Sequence, residues 1–136
     1  MAIFVATDFN VSINGSTALS SYLTQVELKA TATDVTTTAF GSSFVTRVAG
    51  LKEGSLTLTF NQDYAASTVD ATLFPLLGNN ATVVIKPTSS AVGTSNPSYS
   101  AVCLVTDLTP ISGQIGDLAT LSLTWPTTGA ITRATA

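Results

Sequence analysis

Residues 50–78 read GLKEGSLTLTFNQDYAASTVDATLFPLLG, and this stretch contains the clearest strand pattern of the chain. Leu56, Leu58 and Phe60 alternate there with serine and threonine. A period of two residues is typical of a strand with one buried and one exposed face, because successive side chains point to opposite sides of a sheet. We therefore predict a half-buried β-strand here.

The same stretch contains the clearest helical pattern of the chain. Apolar residues recur at helical spacing after Ser67, and Gly78 follows as a natural helix end. We predict a helix over residues 68–77 that Pro75 kinks or shortens, because proline lacks the N–H that a helix interior needs. A strand followed by a short apolar helix, with other strands around both, indicates a mainly β fold, a β-sandwich or barrel with one short α-helix.

Further strands are predicted on both sides of this stretch. Residues 3–13 read as a first strand, and Asn14-Gly15 directly after it is a strong hairpin signal. Residues 101–106 are almost continuously apolar, which predicts a central strand buried on both faces. Residues 127–136 read as a polar C-terminal tail.

A long protruding hairpin is predicted over residues 31–48, which are rich in threonine and carry little core-forming pattern. Val35, Phe40 and Phe44 lie near its tip. Exposed apolar groups on a protrusion usually mark a contact surface. Either this segment contacts another molecule, or it folds back as a long loop on its own sandwich.

The composition suggests a single domain that is partly covered by other subunits. The chain has 136 residues, 45% of them hydrophobic and only 10% charged, with a net charge of −3. Its mean hydropathy is +0.42. So few surface charges protect an isolated monomer poorly against association. The alternative is a soluble monomer coated with threonine and serine.

The charge balance, the length of the apolar runs and the N-terminal residues argue against several classes of protein. A sequence pI of about 4.4 argues against a nucleic-acid reader, which needs a basic face. No apolar run approaches the roughly 18 residues of a membrane span, and the N-terminus lacks the basic segment of a signal peptide. Cys103 is the only cysteine and reads as a small buried hydrophobe, as expected for folding in a cytoplasm.

The sequence offers no convincing catalytic or metal-binding group. It contains no histidine, so catalytic triads are excluded, and one cysteine cannot build a zinc site. Asp107 and Asp117 flank one loop in the manner of a glycosidase pair, and Asn61, Asp63 and Asp70 suggest calcium ligands. Turn-capping explains these carboxylates better. We therefore expect no catalytic residue, no metal and no cofactor, and a protein that is not an enzyme.

At this point the pattern resembles a known family. The long threonine-rich hairpin, the segment VAGLKEGSLTL at residues 48–58, NQD at 61–63 and the apolar helix are similar to the tail tube (major tail) proteins of long-tailed bacteriophages. The likeness covers about residues 10–125 and is most specific over residues 51–77.

The resemblance implies an assembly. Tail tube proteins form hexameric rings that stack into a hollow tube, each subunit giving strands to an inner β-barrel and a long hairpin to the neighbouring ring. The implied partners are further copies of the chain, the tape measure, initiator and terminator proteins of the tail, and DNA that passes without sequence-specific binding. The implied location is the virion tail, assembled in the host cytoplasm, with no membrane.

The resemblance also gives roles to particular residues. Residues 31–48 become the hairpin that reaches the next ring, and the helix packs outside the barrel. The implied inter-ring contacts are Val35, Thr37, Phe40, Phe44 and Arg47. By alternation, the implied lumen-facing residues are Glu27, Lys29, Thr57 and Thr59.

Two other classes of protein remain open. One is a different phage structural part, such as a capsid-decorating or tail-completion protein, which shares sandwich architecture and low charge but does not polymerise. The other is a carbohydrate-binding or adhesive β-sandwich, which needs an exposed aromatic platform. Tyr22, Tyr64, Tyr99 and Trp125 are scattered along the chain, and Trp125 falls on the core face of its strand. Fold alone does not separate these classes.

Overall fold

Strands and short helical turns alternate along the chain in the computed structural model, which describes residue 3, residues 5–15 and residues 19–136. The strands are β1 (Asn10–Ile13), β2 (Leu23–Thr36), β3 (Arg47–Asn61), β4 (Asn80–Lys86), β5 (Ser98–Leu104), β6 (Thr120–Pro126) and β7 (Thr132–Ala134). The α-helix is α1 (Val69–Leu73), and single 3₁₀ turns span Ser20–Tyr22 and Phe74–Leu76.

Two antiparallel sheets enclose one hydrophobic core. The first has the strand order β1-β4-β5-β7 and the second the order β2-β3-β6. Their inward side chains, together with two from α1, form a single buried cluster. Its largest fully buried members are Trp125, Phe60, Leu56, Leu58 and Leu73. The predicted mainly β fold with one short helix is therefore confirmed.

Strand β3 shows why the sandwich forms. Leu56, Leu58 and Phe60 are completely buried, while the serine and threonines between them are only half-buried. The alternation read from the sequence therefore holds along the inner half of the strand, where one face meets the core and the other does not.

The outer half of β3 pairs with β2 in a hairpin that leaves the body of the protein. The pairing runs from Leu23 opposite Phe60 to Thr36 opposite Arg47. Every residue from 29 to 53 is exposed, and we call these residues the hairpin arm. At roughly 3.3 Å per residue, the strands carry the arm about 25 Å beyond the core. The long protruding hairpin is confirmed, and the idea that it folds back on its own sandwich is wrong.

The predicted helix over residues 68–77 is shorter than expected. Helix α1 ends at Leu73, and Pro75 lies in the 3₁₀ turn that follows, because a proline there cannot continue an α-helix. Ser67 does not begin the helix, since its φ of 61° lies in the left-handed region. Thr68 is the N-cap residue, without a side-chain capping bond. The helix contributes Val69 and Leu73 to the core.

The Asn14-Gly15 turn forms, but it does not make the expected hairpin. Both residues have a left-handed backbone, with φ of 51° and 86°. Strand β1 is only four residues long and pairs with β4, not with the strand that follows it. Asn14 joins this pairing, since its side-chain oxygen accepts a hydrogen bond from the backbone N–H of Thr82 at 2.9 Å.

Strand β5 is central in its sheet, but the prediction that both of its faces are buried is wrong. Ala101 and Cys103 are buried, whereas Val102 and Leu104 are each 37% exposed. The outer face of a two-layer sandwich has no third layer to cover it. A continuous apolar run therefore does not require burial on both sides.

Residues 127–136 are more structured than the predicted polar tail. They contain β7, which pairs with β5, and they brace the base of the hairpin arm. Gly54 donates its N–H to the Thr127 hydroxyl at 3.1 Å and accepts the Thr127 N–H at 2.9 Å. A Cβ on Gly54 would lie 2.6 Å from the Ile131 Cδ1 atom. Only glycine allows this close approach without displacement.

We predict that Gly54→Ala destabilises the fold by about 1–2 kcal/mol, because the new methyl group overlaps Ile131 and presses on the Lys29 carbonyl oxygen. Gly129→Ala is the matched control, since no atom lies within 4 Å of its added Cβ. Urea denaturation of dilute protein measures the free energy of unfolding of both variants. Equal stability of the two variants would contradict the close packing of Gly54 against Ile131.

A second prediction concerns the core of β3. Leu58→Ala should destabilise the protein by about 2–5 kcal/mol, because it leaves a cavity at a fully buried position. Thr57→Ala, one residue away on the opposite face, should cost no more than about 1 kcal/mol. The difference in urea midpoint between these neighbours checks which face is the core.

Candidate assembly surfaces

The outer side of the β2-β3-β6 sheet is almost entirely polar. Cross-strand pairing aligns Glu27 with Thr57 and Thr57 with Thr124, and the rows on either side continue the pattern. We call this surface the polar face. Its polar members are Gln25, Glu27, Lys29, Ser55, Thr57, Thr59, Ser122 and Thr124.

Hydroxyl groups dominate the chemistry of the polar face. The Thr57 and Thr124 hydroxyls lie 3.4 Å apart, as do those of Thr59 and Ser122. Glu27 and Lys29 add one charge of each sign. Hydroxyls donate and accept hydrogen bonds and hold water, whereas tight binding to a phosphate backbone needs several cations. The polar face therefore offers a phosphate backbone few cations to bind.

The structure brings together all four residues that the resemblance assigned to a lumen. Glu27, Lys29, Thr57 and Thr59 share the polar face. Strand β6 adds Ser122 and Thr124 to this face, which the sequence pattern does not predict. Their alternation with leucine is visible in the sequence, but their place beside β3 depends on long-range pairing that no local pattern specifies.

The polar face also has two open edges. In the order β2-β3-β6, strands β2 and β6 each pair on one side only within the part of the chain that the structure describes. An edge strand presents unpaired backbone N–H and C=O groups, which is a template for pairing with another chain. The sheet can therefore be extended from both sides by further copies.

The hairpin tip, residues 37–46, is an ordered loop. Thr37 and Thr46 are joined by a backbone hydrogen bond of 2.8 Å, and their hydroxyls also lie 2.8 Å apart. The Thr46 N–H donates to the Thr38 hydroxyl at 2.9 Å. These bonds fix the loop at its neck, so the residues beyond are held in a defined position.

Apolar side chains cover the hairpin tip and the strands next to it. Phe40 is fully exposed and Phe44 is 83% exposed, with Val45 beside them at 57%. Val35 and Val48 are cross-strand partners and are about half exposed. A protrusion that exposes two phenylalanines indicates a contact surface, because water solvates such a patch poorly.

The polar residues assigned to the same surface already have partners within the hairpin. The Arg47 Nε atom lies 2.7 Å from the Asp34 carboxylate, and both side chains are more than half exposed. A pair this exposed stabilises by at most about 1 kcal/mol. Thr37 is held by Thr46, as described above. Arg47 and Thr37 therefore shape the hairpin, while the phenylalanines offer area for contact.

Two of the residues that raised catalytic alternatives take part in hydrogen bonds within the fold, one through its side chain and one through its backbone. Asp63 accepts a hydrogen bond from the Ala65 N–H at 2.9 Å, and the Asp107 carbonyl oxygen accepts one from Trp125 Nε1 at 3.0 Å. Burial raises the pKa of the Cys103 thiol, which keeps it protonated at neutral pH. Among the described residues, no three or more carboxylates or thiols gather in a way that could hold a metal ion.

The structure also bears on membrane insertion. In the part of the chain that the structure describes, no helix has the length and apolar character needed to cross a bilayer.

Similar folds are found among solved structures. No family model and no curated protein matches the sequence. A chain from the virion of a native gene transfer agent particle superposes with a TM-score of 0.73 at 13% identity, covering 93% of this chain and 95% of that one. The chain shares its fold with that virion chain.

Two further solved structures have a similar fold. A chain from the tail of an empty gene transfer agent particle, refined with C6 symmetry, gives a TM-score of 0.65 at 16% identity over 89% of this chain and 86% of its own. A chain from the six-fold symmetrised baseplate of the anti-feeding prophage superposes with a TM-score of 0.50 at 10% identity, covering 98% of this chain and 97% of that one. The resemblance to phage tail proteins is confirmed at the level of the fold.

Proposed function

We propose that this chain is a structural virion protein that assembles into hexameric rings, stacked into a hollow tail tube through which DNA passes. The observation that carries the proposal is a three-stranded sheet with a polar outer face and two open edges. Similar folds in a C6-symmetric tail and a six-fold baseplate support the ring. The activity is assembly, without catalysis or cofactor.

Ring closure follows from the open edges. If β6 of one copy pairs with β2 of the next, a cyclic ring leaves no strand edge exposed. Three strands from each of six copies form a barrel with room for a channel, because barrels of about 16–18 strands already enclose water. The other sheet and α1 then lie outside the barrel wall.

The polar face becomes the lining of the channel in this arrangement. Glu27, Lys29, Thr57 and Thr59 point inward, with the hydroxyls of β6 beside them. Each copy contributes one positive and one negative charge, so the lining is near neutral and releases few counterions from passing DNA. DNA therefore slides without sequence-specific binding.

The hairpin arm supplies the contact between rings. Val35, Thr37, Phe40, Phe44 and Arg47 lie on the arm, and burial of its phenylalanines against the neighbouring ring drives stacking. The further partners are the tape measure, initiator and terminator proteins of the tail. The finished tube belongs to the virion tail and is assembled in the host cytoplasm.

Electron microscopy of the purified protein over a concentration series, beside light scattering, tests the assembly. We expect hollow tubes with a regular axial repeat. The double variant Phe40→Ser, Phe44→Ser should raise the concentration at which tubes form by at least about tenfold, because burying a phenylalanine stabilises by about 1.5–3 kcal/mol. Leu77→Ser, which alters an exposed leucine away from the arm, is the control.

The competing classes give other outcomes. A discrete monomer or small closed oligomer at high concentration, unchanged when tail initiator proteins are added, contradicts a tube and favours a decoration or completion protein. Tubes that form equally well with both phenylalanines replaced contradict the role of the arm.

A labelling experiment tests which sheet faces the channel. Thr57→Cys in a Cys103→Ala background should react with a bulky polymer-linked maleimide in the monomer and be protected in tubes. Thr82→Cys, exposed on β4 of the other sheet, should react in both states. We expect protection of Thr57→Cys of at least about tenfold, because the bulky polymer does not enter the channel and reaches its lining only where the tube opens locally. Equal protection at both positions would contradict the lining.

A further inference from the structure

A second apolar surface lies on the loop between β5 and β6, residues 105–119, which we call the β5–β6 loop. Ile111, Ile115 and Leu118 are 83%, 107% and 69% exposed. Single exposed apolar residues are ordinary, but three on one loop indicate a surface that another molecule covers.

Hydrogen bonds hold the β5–β6 loop in place. The Pro110 carbonyl oxygen accepts bonds from Gln62 Nε2 at 3.0 Å and from the Tyr64 hydroxyl at 2.7 Å. The Gln62 N–H donates to the Ala119 carbonyl oxygen at 3.0 Å. Both halves of the loop are thus fastened to the segment that follows β3, and the apolar side chains are presented from a fixed position.

The hairpin tip and the β5–β6 loop lie at opposite ends of the same sheet. Strand β3 leaves the hairpin tip at Arg47 and ends at Asn61, which pairs with Thr120 at the start of β6. The β5–β6 loop leads directly into Thr120. Each copy therefore has one apolar surface at each end of its longest strand.

The two ends also differ in charge. The hairpin arm, residues 29–53, carries three basic and two acidic residues, a net charge of +1. At the other end, residues 61–70 and the β5–β6 loop carry four acidic residues and no basic residue, a net charge of −4. The hairpin tip itself, residues 37–46, carries no charge, so it meets the loop end of another copy without repulsion, whereas like signs disfavour contact between two loop ends.

We propose that the β5–β6 loop of one copy is the docking surface for the hairpin tip of the next copy along the tube. The proposal rests on the stacked tube proposed above and names the surface that receives the hairpin. On contact, Phe40 and Phe44 leave water and pack against Ile111, Ile115 and Leu118.

This pairing accounts for open stacking. The tip and the loop are different surfaces, so the contact is head-to-tail and leaves a free tip at one end and a free loop at the other. Such a contact repeats along an axis when the rotation that relates one copy to the next does not close a ring. A contact between two tips is self-complementary and ends with a pair.

Disulfide cross-linking between two single-cysteine variants tests the docking surface. Both carry Cys103→Ala; one adds Val45→Cys at the tip and the other Gln114→Cys on the loop, which leaves the phenylalanines and isoleucines in place. A third variant, Thr94→Cys on the exposed β4–β5 loop, replaces the second in the control mixture. Equal mixtures are oxidised and their heterodimers quantified.

We expect at least about fivefold more heterodimer from the tip and loop variants than from the control mixture, because docking raises the effective concentration of one thiol near the other. If tubes are seen under the microscope but the excess of heterodimer is absent, the docking surface is overturned and the tube function is retained. The excess in oligomers that never become tubes supports the docking surface and overturns the tube. If neither tubes nor an excess of heterodimer is found, both the docking surface and the tube are overturned.

Discussion

The two-residue period of β3 is the constraint on which the rest of the structure depends. Its inward residues, Leu56, Leu58 and Phe60, build the core, and the residues between them build the polar face. A register shift of one residue would exchange these faces and place threonine in the core and leucine outside. The stability of the monomer and the chemistry of the surface it offers to other copies are therefore set by the same alternation.

Sequence alone predicts those features that neighbours along the chain decide. The strand around Leu58, the shortened helix at Pro75 and the protruding hairpin all follow from local period, backbone chemistry or the lack of a core pattern. The partners of strands do not. Asn14-Gly15 turns as its chemistry requires, yet β1 pairs with β4, because pairing depends on which apolar faces meet across the core.

Of the two apolar surfaces, one can be predicted from the sequence and the other cannot. Phe40 and Phe44 draw attention in the sequence because they interrupt a polar hairpin. Ile111 and Ile115 do not, because isolated apolar residues in a loop of glycine and proline have no period to read. Their significance appears only when the bonds to Pro110 place them at the end of the sheet that is opposite to the hairpin tip.

The hairpin arm has no core of its own, since every one of its side chains is exposed and its base is held by Thr127. Its order in an isolated copy rests on backbone pairing, threonine hydroxyl bonds and the Arg47–Asp34 pair, all of them exposed to water, so the arm opens at little cost. Any partner that covers the arm therefore also stabilises it, by mass action. Local melting of the arm becomes a function of protein concentration, whereas the sandwich melts at a temperature of its own, and the two transitions separate as the solution is diluted.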